Sequence, residues 1–442
     1  MTYQEAVAYL ESLIDYERTP AGAAAARVWN LDRTRHLLAA AGDPHLKLRT
    51  LHLAGTKGKG STAAMAASIL TAAGHHTGLY TSPHLVSFRE RIRVDGELIS
   101  EADVVALVEQ ARPIIESMRE GEIGMPSFFE AYTLLGFLHF AQREVDVLVL
   151  ETGLGGRLDA TNVASPIACA LTRIGMDHMT ELGDTLALIA REKAGIIKPD
   201  VPVISAPQEP EVLDVFEEIA LERGAQLLVV GTDSGPRVLS TETKDLTQVF
   251  TIEGLERRYD DLSCPLLGAH QTENAAVAIG LVELAARGGL RVGEEFVRKG
   301  LAEVRWPGRF QVVSRRPFIV LDGAHDDLGA EALAKTIESL LGGLRLLLVF
   351  GTGGDKDAKA IARRLCPLAD QVILTQSGFP RAIPAEELQR LVFTMSKHTS
   401  AITPVGEAVR QAVRLATRGD AIVITGSLYV VGEAMQALGV AD

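Results

Sequence analysis

The fold of this chain is decided by residues 50–70, TLHLAGTKGKGSTAAMAASIL. A short apolar run over 50–54 leads directly into the glycine-rich segment GTKGKGS (residues 55–61), and a helical pattern follows over 61–73. A strand, a glycine loop and a helix in this order bring backbone N–H groups and a helix N-terminus to one point, which favours phosphate binding. The stretch therefore predicts the first unit of an α/β sheet with a phosphate loop.

The phosphate loop does not have the standard GxxxxGK[ST] spacing, because Leu53 stands where that pattern has glycine and Gly60 where it has serine or threonine. A plain glycine turn between strand and helix is therefore an alternative interpretation. The strand, loop and helix context favours phosphate binding. In that interpretation Lys59 places a positive charge near the β- and γ-phosphates, and the hydroxyl of Ser61 or Thr62 faces a metal ion.

Beyond this unit, apolar runs alternate with helical patterns, which is typical of a parallel sheet. Further strands are predicted at 77–81, 145–150, 168–172 and 201–205, and a second series at 318–321, 344–350, 371–375 and 421–425. Pro307 and Gly308 interrupt the helical pattern that begins near 292. We predict an N-terminal P-loop-type ATPase domain (1–304) with a mostly parallel, doubly wound sheet, a linker (305–309), and a smaller Rossmann-like C-terminal α/β domain (310–442).

The composition narrows the class of protein. With 442 residues, 47% hydrophobic and 23% charged, the chain has the profile of a soluble enzyme, and its net charge of −13 argues against nucleic-acid binding. Cys169, Cys264 and Cys366 show no paired spacing, which favours a reducing cytoplasm. Residues 1–17 are interpreted as an ordinary first helix, and no apolar run is long enough to predict membrane insertion.

Polar motifs follow the predicted strands of the first series. TSPH (81–84) leads to Arg89, Arg91 and Arg93, interpreted either as basic residues beside the phosphate loop or as an exposed hairpin. Glu151 ends a buried apolar strand and would share Mg²⁺ with Ser82, because Mg²⁺ prefers oxygen ligands. A salt bridge from Arg157 to Glu151 is the structural alternative.

Residue chemistry alone does not predict a metal-binding or catalytic role for GMDH (175–178) or REKAGIIK (191–198). It favours a hydrogen-bonded structural role for His178 and a solvated position for Lys193. In the second series, DGAHD (322–326), GTGGDKD (351–357) and GSLY (426–429) follow strands in the same way. Because ligands bind beyond the carboxyl ends of parallel strands, we expect these loops and GAHQTENA (268–275) to face a cleft between the domains.

Taken in order, the motifs cover nearly the whole chain, and together they resemble those of folylpolyglutamate and dihydrofolate synthases in the Mur ligase superfamily. They are GTKGKGS, YTSPHL, SFFE, ETGLGGRLDATN, GMDH, REKAGIIK, GAHQTENA, WPGRF, DGAHD, FGTGGDKDAK and TGSLYVVGE. The resemblance implies an ATP-dependent ligase that adds L-glutamate to dihydropteroate or to the glutamate tail of reduced folates through an acyl phosphate. It also implies ATP, one or two Mg²⁺ ions, a candidate monovalent cation and a monomer.

The resemblance also implies roles for individual residues. Gly55, Thr56, Gly58, Lys59, Gly60, Ser61, Asn274, Arg309 and Asp322 are expected to bind ATP, and Ser82, Glu151 and His178 to bind metal. Lys59, Lys193 as a carbamate and His325 are expected to be catalytic. Asn30, Leu31, Asp32, Arg33, Phe128, Phe129, Glu130, Leu158, Asp159, Ala160 and Ser427 are expected to bind the pterin or glutamate substrate.

Two positions depart from the family pattern. Lys57 and Asp326 stand where members of this family often have asparagine. Two alternative functions follow from the same residues: a cell-wall UDP-muramoyl amino-acid ligase of the same superfamily, and a binding protein that switches conformation on nucleotide hydrolysis without ligation. The products formed with each substrate would separate them.

Overall fold

The computed structural model describes residues 1–15, 30–119, 121, 123–396 and 398–440. The first helix, α1, spans Tyr3–Glu11 and begins with a capping box between Thr2 and Glu5. Residues 16 and 17, which the predicted first helix included, lie outside the described part of the chain.

An eight-stranded sheet forms the centre of the N-terminal part. Its strands are β1 Thr50–Ala54, β2 Thr77–Tyr80, β3 Ile92–Val94, β4 Glu97–Leu98, β5 Val147–Glu151, β6 Pro166–Leu171, β7 Val203–Ser205 and β8 Leu227–Val229. They lie in the order β4-β3-β2-β5-β1-β6-β7-β8, parallel from β2 to β8, with β3 and β4 antiparallel at one edge. The strand after which the phosphate loop follows, β1, is therefore central, between β5 and β6.

Helices cover both faces of this sheet. After α1 come α2 Asp32–Ala40, α3 Lys59–Ala72, α4 Glu101–Ser117, α5 Phe128–Gln142, α6 Met179–Leu182, α7 Leu186–Ala194, α8 Pro210–Glu222, α9 Ala269–Arg287 and α10 Glu294–Glu303. Apolar residues of α3, α9 and α10 form one core, and those of α1, α2, α4 and α5 form another. Both faces of β1 and β5 are buried, which explains why β5 is a continuous apolar run up to Glu151; β1 also buries the polar side chains of Thr50 and His52.

A three-stranded antiparallel sheet lies between α8 and α9 in the sequence, and the sequence analysis did not predict it. Its strands are β9 Arg237–Lys244, β10 Thr247–Glu253 and β11 Arg258–Cys264. The outer strand β9 is almost entirely exposed and reads RVLSTETK, whose polar residues give little strand signal. The inner strand β10 buries Phe250 and Ile252 against the core that contains α9.

The C-terminal part is a six-stranded sheet with the order β12-β13-β17-β14-β15-β16. Its elements are β12 Gln311–Arg315, β13 Phe318–Leu321, α11 Asp327–Leu341, β14 Leu346–Phe350, α12 Ala358–Leu365, β15 Gln371–Leu374, α13 Ala385–Val392, β16 Thr399–Ala401, α14 Val405–Leu415, β17 Ala421–Thr425 and α15 Leu428–Leu438. All pairs are parallel except that of β12 with β13. The predicted α/β class is confirmed in both sheets.

The core changes between Trp306 and Phe310. Trp306 packs against the N-terminal core with α3, whereas Phe310 belongs to the core of the six-stranded sheet. We therefore propose that residues 1–304 and 310–442 form the two domains and that residues 305–309 form the linker between them. Among the described residues, no helix is long and apolar enough to cross a membrane.

Candidate active site

The loop after β1 is held by backbone hydrogen bonds to the loop after β6. The N–H groups of Thr56 and Lys57 each donate to the Arg173 carbonyl at 3.0 Å, and the Thr56 hydroxyl donates to the Gly175 carbonyl at 3.2 Å. The helix α3 begins at Lys59, directly after Gly58 in the left-handed region at φ +90°. The N–H groups of its first turn, which includes Gly60 and Ser61, therefore open onto the loop.

Glycine is required in this loop because other residues approach it closely. A Cβ atom on Gly58 would lie 2.2 Å from Asn274 Oδ1, and one on Gly60 would lie 2.9 Å from the Trp306 ring. A Cβ on Gly55 would lie 1.9 Å from Thr172 Oγ1. The loop is thus enclosed by Thr172 just after β6, by Asn274 at the start of α9 and by Trp306 of the domain linker. The role of Asn274 in binding ATP stays a prediction.

Lys59 and Glu151 lie together at the carboxyl ends of β1 and β5. Lys59 Nζ is 3.9 Å from Glu151 Oε1, and Glu151 Oε2 accepts a hydrogen bond from the Ser82 N–H at 3.2 Å. Burial lowers the pKa of Lys59 and raises the pKa of Glu151 to about 6, although the charge of Lys59 opposes the second shift. The structure thus places Ser82, Lys59 and Glu151 next to one another, and their roles in binding metal and ATP stay predictions.

This corner of the site suits a hard cation. Glu151 is 3% exposed, and among the described residues only its Oε2 accepts a hydrogen bond, which leaves Oε1 as an oxygen ligand. Burial raises the pKa of Glu151 more than Lys59, Ser82 and Arg309 lower it, and a bound cation would favour the carboxylate form. The alternative salt bridge from Arg157 is wrong, since Arg157 pairs with Glu192 at 2.8 Å.

His178 caps the short helix α6 in the left-handed region, with φ +51°. Its Nε2 atom lies 3.9 Å from Asp177 Oδ1. The side chain is 44% exposed. Desolvation by the surrounding residues lowers its pKa to about 4; Asp177 opposes this shift, and Lys356, Lys193 and Lys59 act in the same direction as the desolvation. The ring is therefore neutral near pH 7, which is the form that ligates a metal.

Lys193 is not a solvated helix lysine, as residue chemistry alone had favoured. The residue is 4% exposed, and its Nζ donates to the Gly55 carbonyl at 2.8 Å. Burial, followed by the charge of Lys59, lowers the pKa of Lys193 to about 7. The neutral amine is therefore much more accessible near pH 7 than it is for an exposed lysine.

Arg309, which is half-buried at the end of the linker, lies near Asp322, which is buried after β13. The Asp322 carboxylate accepts hydrogen bonds from the N–H groups of Phe310 and Ala324, each at 2.8 Å, and Arg309 Nη1 donates to the Gly308 carbonyl at 3.0 Å. Burial raises the pKa of Asp322 and lowers that of Arg309. Asp322 therefore fixes the course of the linker, next to the position where the resemblance implies ATP.

Four charged side chains from the two domains meet beside the phosphate loop. Lys57 forms an ion pair with Asp326 and lies 3.4 Å from Asp177 Oδ2, and Lys356 Nζ donates to Asp177 Oδ1 at 2.8 Å. Burial alone would raise the pKa of Asp177, but Lys57, His178 and Lys356 hold it far below its usual range. We call these four residues the interdomain charge network.

The pairing of these four residues was not predicted from the sequence. Each of them nevertheless lies in a polar loop that follows a predicted strand. Asp177, His325 and Asp326 are close enough together to hold a metal ion. Their two carboxylates, however, are already paired with Lys57 and Lys356. This trio is therefore not a ready cation site.

His325 is oriented by the backbone. Its Nδ1 donates to the Gly323 carbonyl at 2.7 Å, which leaves the Nε2 lone pair directed at Lys57 Nζ, 3.4 Å away. Burial and Lys57 lower the pKa of His325 to about 3. Next to it, the Gly426 N–H donates to the Ala324 carbonyl at 3.0 Å, so the loops after β13 and β17 adjoin.

Ser427 is the N-cap of α15, and its hydroxyl accepts a hydrogen bond from the Tyr429 N–H at 3.2 Å. It follows Gly426 directly and therefore belongs to the same loop edge as His325. Its predicted role in binding substrate stays a prediction.

The predicted pterin region contains one buried ion pair. Arg33 Nε lies 3.2 Å from Glu130 Oε1, and Glu130 also closes the capping box of α5 through the Ser127 N–H and hydroxyl. Asn30 Oδ1 accepts from the Asp32 N–H at 3.0 Å, while Leu31 is buried as the N-cap of α2. The two stretches 30–33 and 127–130 are thus neighbours, as the resemblance implied.

The two phenylalanines of SFFE differ in environment. Phe128 is 3% exposed, stacks parallel to Tyr132 with ring centroids 6.0 Å apart, and contacts Phe88. Phe129 lies over Gly153, where a Cβ would be 2.5 Å from its ring. Phe128 is therefore a core residue with almost no free ring face, whereas Phe129 borders the loop after β5.

Asp159 holds the loop after β5. Its Oδ2 accepts from the N–H groups of Gly153 and Leu154 at 3.0 and 2.8 Å, and its Oδ1 accepts from Thr161. Burial raises its pKa. Leu158 is half-buried and Ala160 is buried, so this segment presents little side chain to a ligand.

The arginines after β2 do not form one basic patch. Arg91 is fully buried, donates to His84 Nδ1 at 2.9 Å, and lies over the rings of Phe128 and Tyr132. Arg93 lies 5.8 Å from the Trp306 ring centroid, which places it near the phosphate loop. The exposed-hairpin interpretation is wrong for Arg91, because its neighbours are aromatic side chains of α5.

Comparison with known proteins agrees with this arrangement. The Mur ligase middle domain matches residues 53–282, and the Mur ligase glutamate ligase domain matches residues 308–428. The dihydrofolate synthase/folylpolyglutamate synthase of Bacillus subtilis (strain 168) is 34% identical over 438 residues, covering 99% of each chain. This chain belongs to the dihydrofolate/folylpolyglutamate synthase family of Mur ligases.

Solved structures of the family have the same fold. Mycobacterium tuberculosis folylpolyglutamate synthase complexed with ADP matches with a TM-score of 0.90 and 32% identity, covering 100% of this chain and 98% of that one. An FPGS–AMPPCP–folate complex matches with a TM-score of 0.85 and 32% identity, covering 99% and 100%. Members of this family thus bind a nucleotide and a folate on the architecture described above.

Proposed function

We propose that the protein is an ATP-dependent ligase that adds L-glutamate to dihydropteroate or to the glutamate tail of reduced folates. The observation that carries the proposal is the arrangement of Lys59 and Glu151, 3.9 Å apart at the head of α3, beside a glycine loop that Asn274 and the domain linker enclose. This arrangement has the charge and the open N–H groups for a triphosphate. Membership of the family supplies the substrate class.

The chain's own residues would act chiefly by positioning and electrostatics. The N–H groups of residues 58–61 and the ammonium of Lys59 hold the phosphates while the substrate carboxylate attacks the γ-phosphorus in line and ADP leaves. The α-amine of glutamate then attacks the acyl phosphate carbonyl, phosphate leaves, and the amide forms. Closure by the C-terminal domain keeps water from the acyl phosphate.

Glu151, Ser82 and His178 are proposed to hold Mg²⁺. When bound, Mg²⁺ would neutralise negative charge on the phosphate oxygens. Glu151 supplies a buried carboxylate oxygen, and the neutral ring of His178 supplies nitrogen. We also propose that a second Mg²⁺ and a monovalent cation bind, and we assign no residues to them.

We propose that Lys193 is carbamylated. Its neutral amine would attack CO₂, forming an N–C bond and releasing one proton, so that a buried cation is replaced by an anion. The pKa of about 7 supports the proposal, because the reactive amine is then well populated at neutral pH. The charge of the product would also be balanced by Lys59.

The test is an assay of ADP formation by the purified protein with dihydropteroate or tetrahydrofolate as carboxylate substrate and L-glutamate as amine. We expect ADP to form in proportion to the amide product, and only when both substrates are present. Turnover with a uridine-linked muropeptide alone would support the cell-wall ligase instead. ATP hydrolysis at one rate with and without glutamate would support the nucleotide switch.

We further propose a cytoplasmic monomer. The three cysteines are free and buried, which accords with a reducing compartment. The monomer is what the family resemblance implies, and light scattering of the purified protein would test it.

A further inference from the structure

Lys57 and Asp326 are far apart in the sequence, and the structure joins them in one ion pair. Lys57 lies in the phosphate loop, and Asp326 lies at the N-terminus of α11 in the other domain. Lys57 supplies the cation from the N-terminal domain, and Asp326 supplies the anion from the C-terminal domain, so the pair links the two domains directly.

The rest of the interdomain charge network has the same design. Asp177 lies in the loop after β6 of the N-terminal domain, and Lys356 lies in the loop after β14 of the C-terminal domain. Each domain thus contributes one cation and one anion. The pairs Lys57–Asp326 and Lys356–Asp177 cross the boundary, and a third pair, Lys57 with Asp177 at 3.4 Å, lies within the N-terminal domain. The four side chains are between 11% and 22% exposed, so solvent screens them less than it screens a surface pair.

Each network residue is also fixed by its own domain. Asp326 Oδ1 accepts from the Gly329 N–H at 2.8 Å and so caps α11, while the Lys57 N–H donates to the Arg173 carbonyl. His325, beside Asp326, directs its Nε2 at Lys57 Nζ. Movement of the C-terminal domain therefore cannot leave the phosphate loop unaffected.

We propose that the interdomain charge network fixes the closed arrangement of the two domains, and that Lys57 is a positioning residue which aligns the phosphate loop with the 322–326 loop. The catalytic part of this inference rests on the proposed ligase function. The conformational part does not rest on that function, because the arrangement of the domains can be measured without a folate substrate.

The conformational test uses single-molecule fluorescence between dyes on two introduced cysteines. L221C and F393C place them on opposite domains at side chains that are 84% and 73% exposed, and the native cysteines are all buried. In this background we compare K57M, D326N, K57M/D326N and K57R. The matched control is K335M, which removes an exposed ion pair with Glu331 inside α11.

K57M and D326N are each expected to lower the ratio of closed to open molecules by about tenfold. In the double variant the ratio should fall no further than in the more affected single variant. K57R should have the native ratio, and K335M should not change the ratio. Ratios within about twofold of native in both single variants would overturn the proposal. The proposal would also be overturned if the fold-changes of the two single variants multiplied in the double variant. Circular dichroism must show that each variant is folded.

The catalytic test separates alignment from binding. K57M is expected to lower kcat for amide formation by roughly tenfold while KM for ATP changes by less than about threefold, and K57R should recover most of kcat. A change in KM alone would assign Lys57 to binding and overturn the positioning role. Failure of all folate substrates would leave the fluorescence result unaffected, so the two proposals can be told apart.

Discussion

Lys193 of α7 donates a 2.8 Å hydrogen bond to the carbonyl of Gly55, the first residue of the phosphate loop. A titratable side chain is thereby joined to the backbone that is proposed to hold the nucleotide. Because its pKa is about 7, small changes in pH near neutrality alter the charge beneath this loop.

We predict that Lys193 forms a carbamate that can be detected directly. Protein equilibrated with ¹³C-bicarbonate at pH 8 should show a carbamate resonance in ¹³C spectra that disappears in K193A. The signal should decrease as the pH falls through 7, since protonation removes the reactive amine. A signal that persists in K193A would assign the carbamate to another amine.

We predict that K59A abolishes ATP turnover and leaves the fold intact. Lys59 is half-buried, and among the described residues its nearest carboxylate oxygen is Glu151 Oε1 at 3.9 Å, too far for a hydrogen bond. Its charge is therefore better placed to bind a ligand than to stabilise the fold. The measurements are ADP formation and circular dichroism. Turnover within tenfold of native would refute the assigned role.

We predict a pH-dependent stability contribution from Glu151 in the absence of Mg²⁺. Its pKa is raised from 4.5 to about 6, so the folded state binds more protons than the unfolded state between these values. The contribution is therefore lost as pH rises through that window, by about 2 kcal/mol. The difference in free energy of unfolding between the native protein and E151Q should show this slope.

The activity of E151Q supplies the second part of that prediction. If Glu151 holds Mg²⁺, the variant should lose ATP turnover by about 100-fold or more at saturating Mg²⁺. A variant that keeps native turnover and shows no difference in pH dependence would remove Glu151 from the site.

We predict that G58A impairs nucleotide binding more than it impairs folding. The added Cβ would lie 2.2 Å from Asn274 Oδ1, and the residue has φ +90°. The matched control is G42A, at φ +81° with open space around it, which isolates the backbone cost of about 1 kcal/mol. Calorimetry should show ATP affinity reduced at least tenfold in G58A and unchanged in G42A.

We predict opposite effects for the two neighbouring phenylalanines. F128A should lower the free energy of unfolding by about 3–5 kcal/mol, since Phe128 packs inside an aromatic core. F129A should instead raise KM for the folate substrate with a smaller loss of stability. If F129A leaves every kinetic constant unchanged, the loop after β5 does not bind the pterin.

Much of the fold followed from apolar runs bounded by glycine and proline. Three of the predicted strands, 50–54, 318–321 and 421–425, have the predicted bounds. The antiparallel β9–β11 sheet was missed because β9 is solvent-exposed and polar, so no burial pattern marks it. Strands β3 and β4 were not among the predicted strands, although an exposed hairpin was one interpretation of this stretch. The exposed part of that interpretation was wrong for Arg91, which is buried against aromatic rings.

Loop positions were more predictable than side-chain partners. Lys59, Ser82 and Glu151 each follow a predicted parallel strand, and the carboxyl ends of parallel strands meet at one edge of the sheet. The structure places these three residues together at that edge. The burial of Lys193 and the pairing of Lys57 with Asp326 depend on tertiary contacts between distant segments. No local spacing in the sequence contains that information.

The paired hydrogen bonds from Thr56 and Lys57 to the Arg173 carbonyl have a thermodynamic consequence. They hold the phosphate loop in shape before any nucleotide arrives, so association orders few additional backbone torsions. The conformational entropy lost on binding is correspondingly small, and affinity for the triphosphate reflects mainly direct contacts and charge.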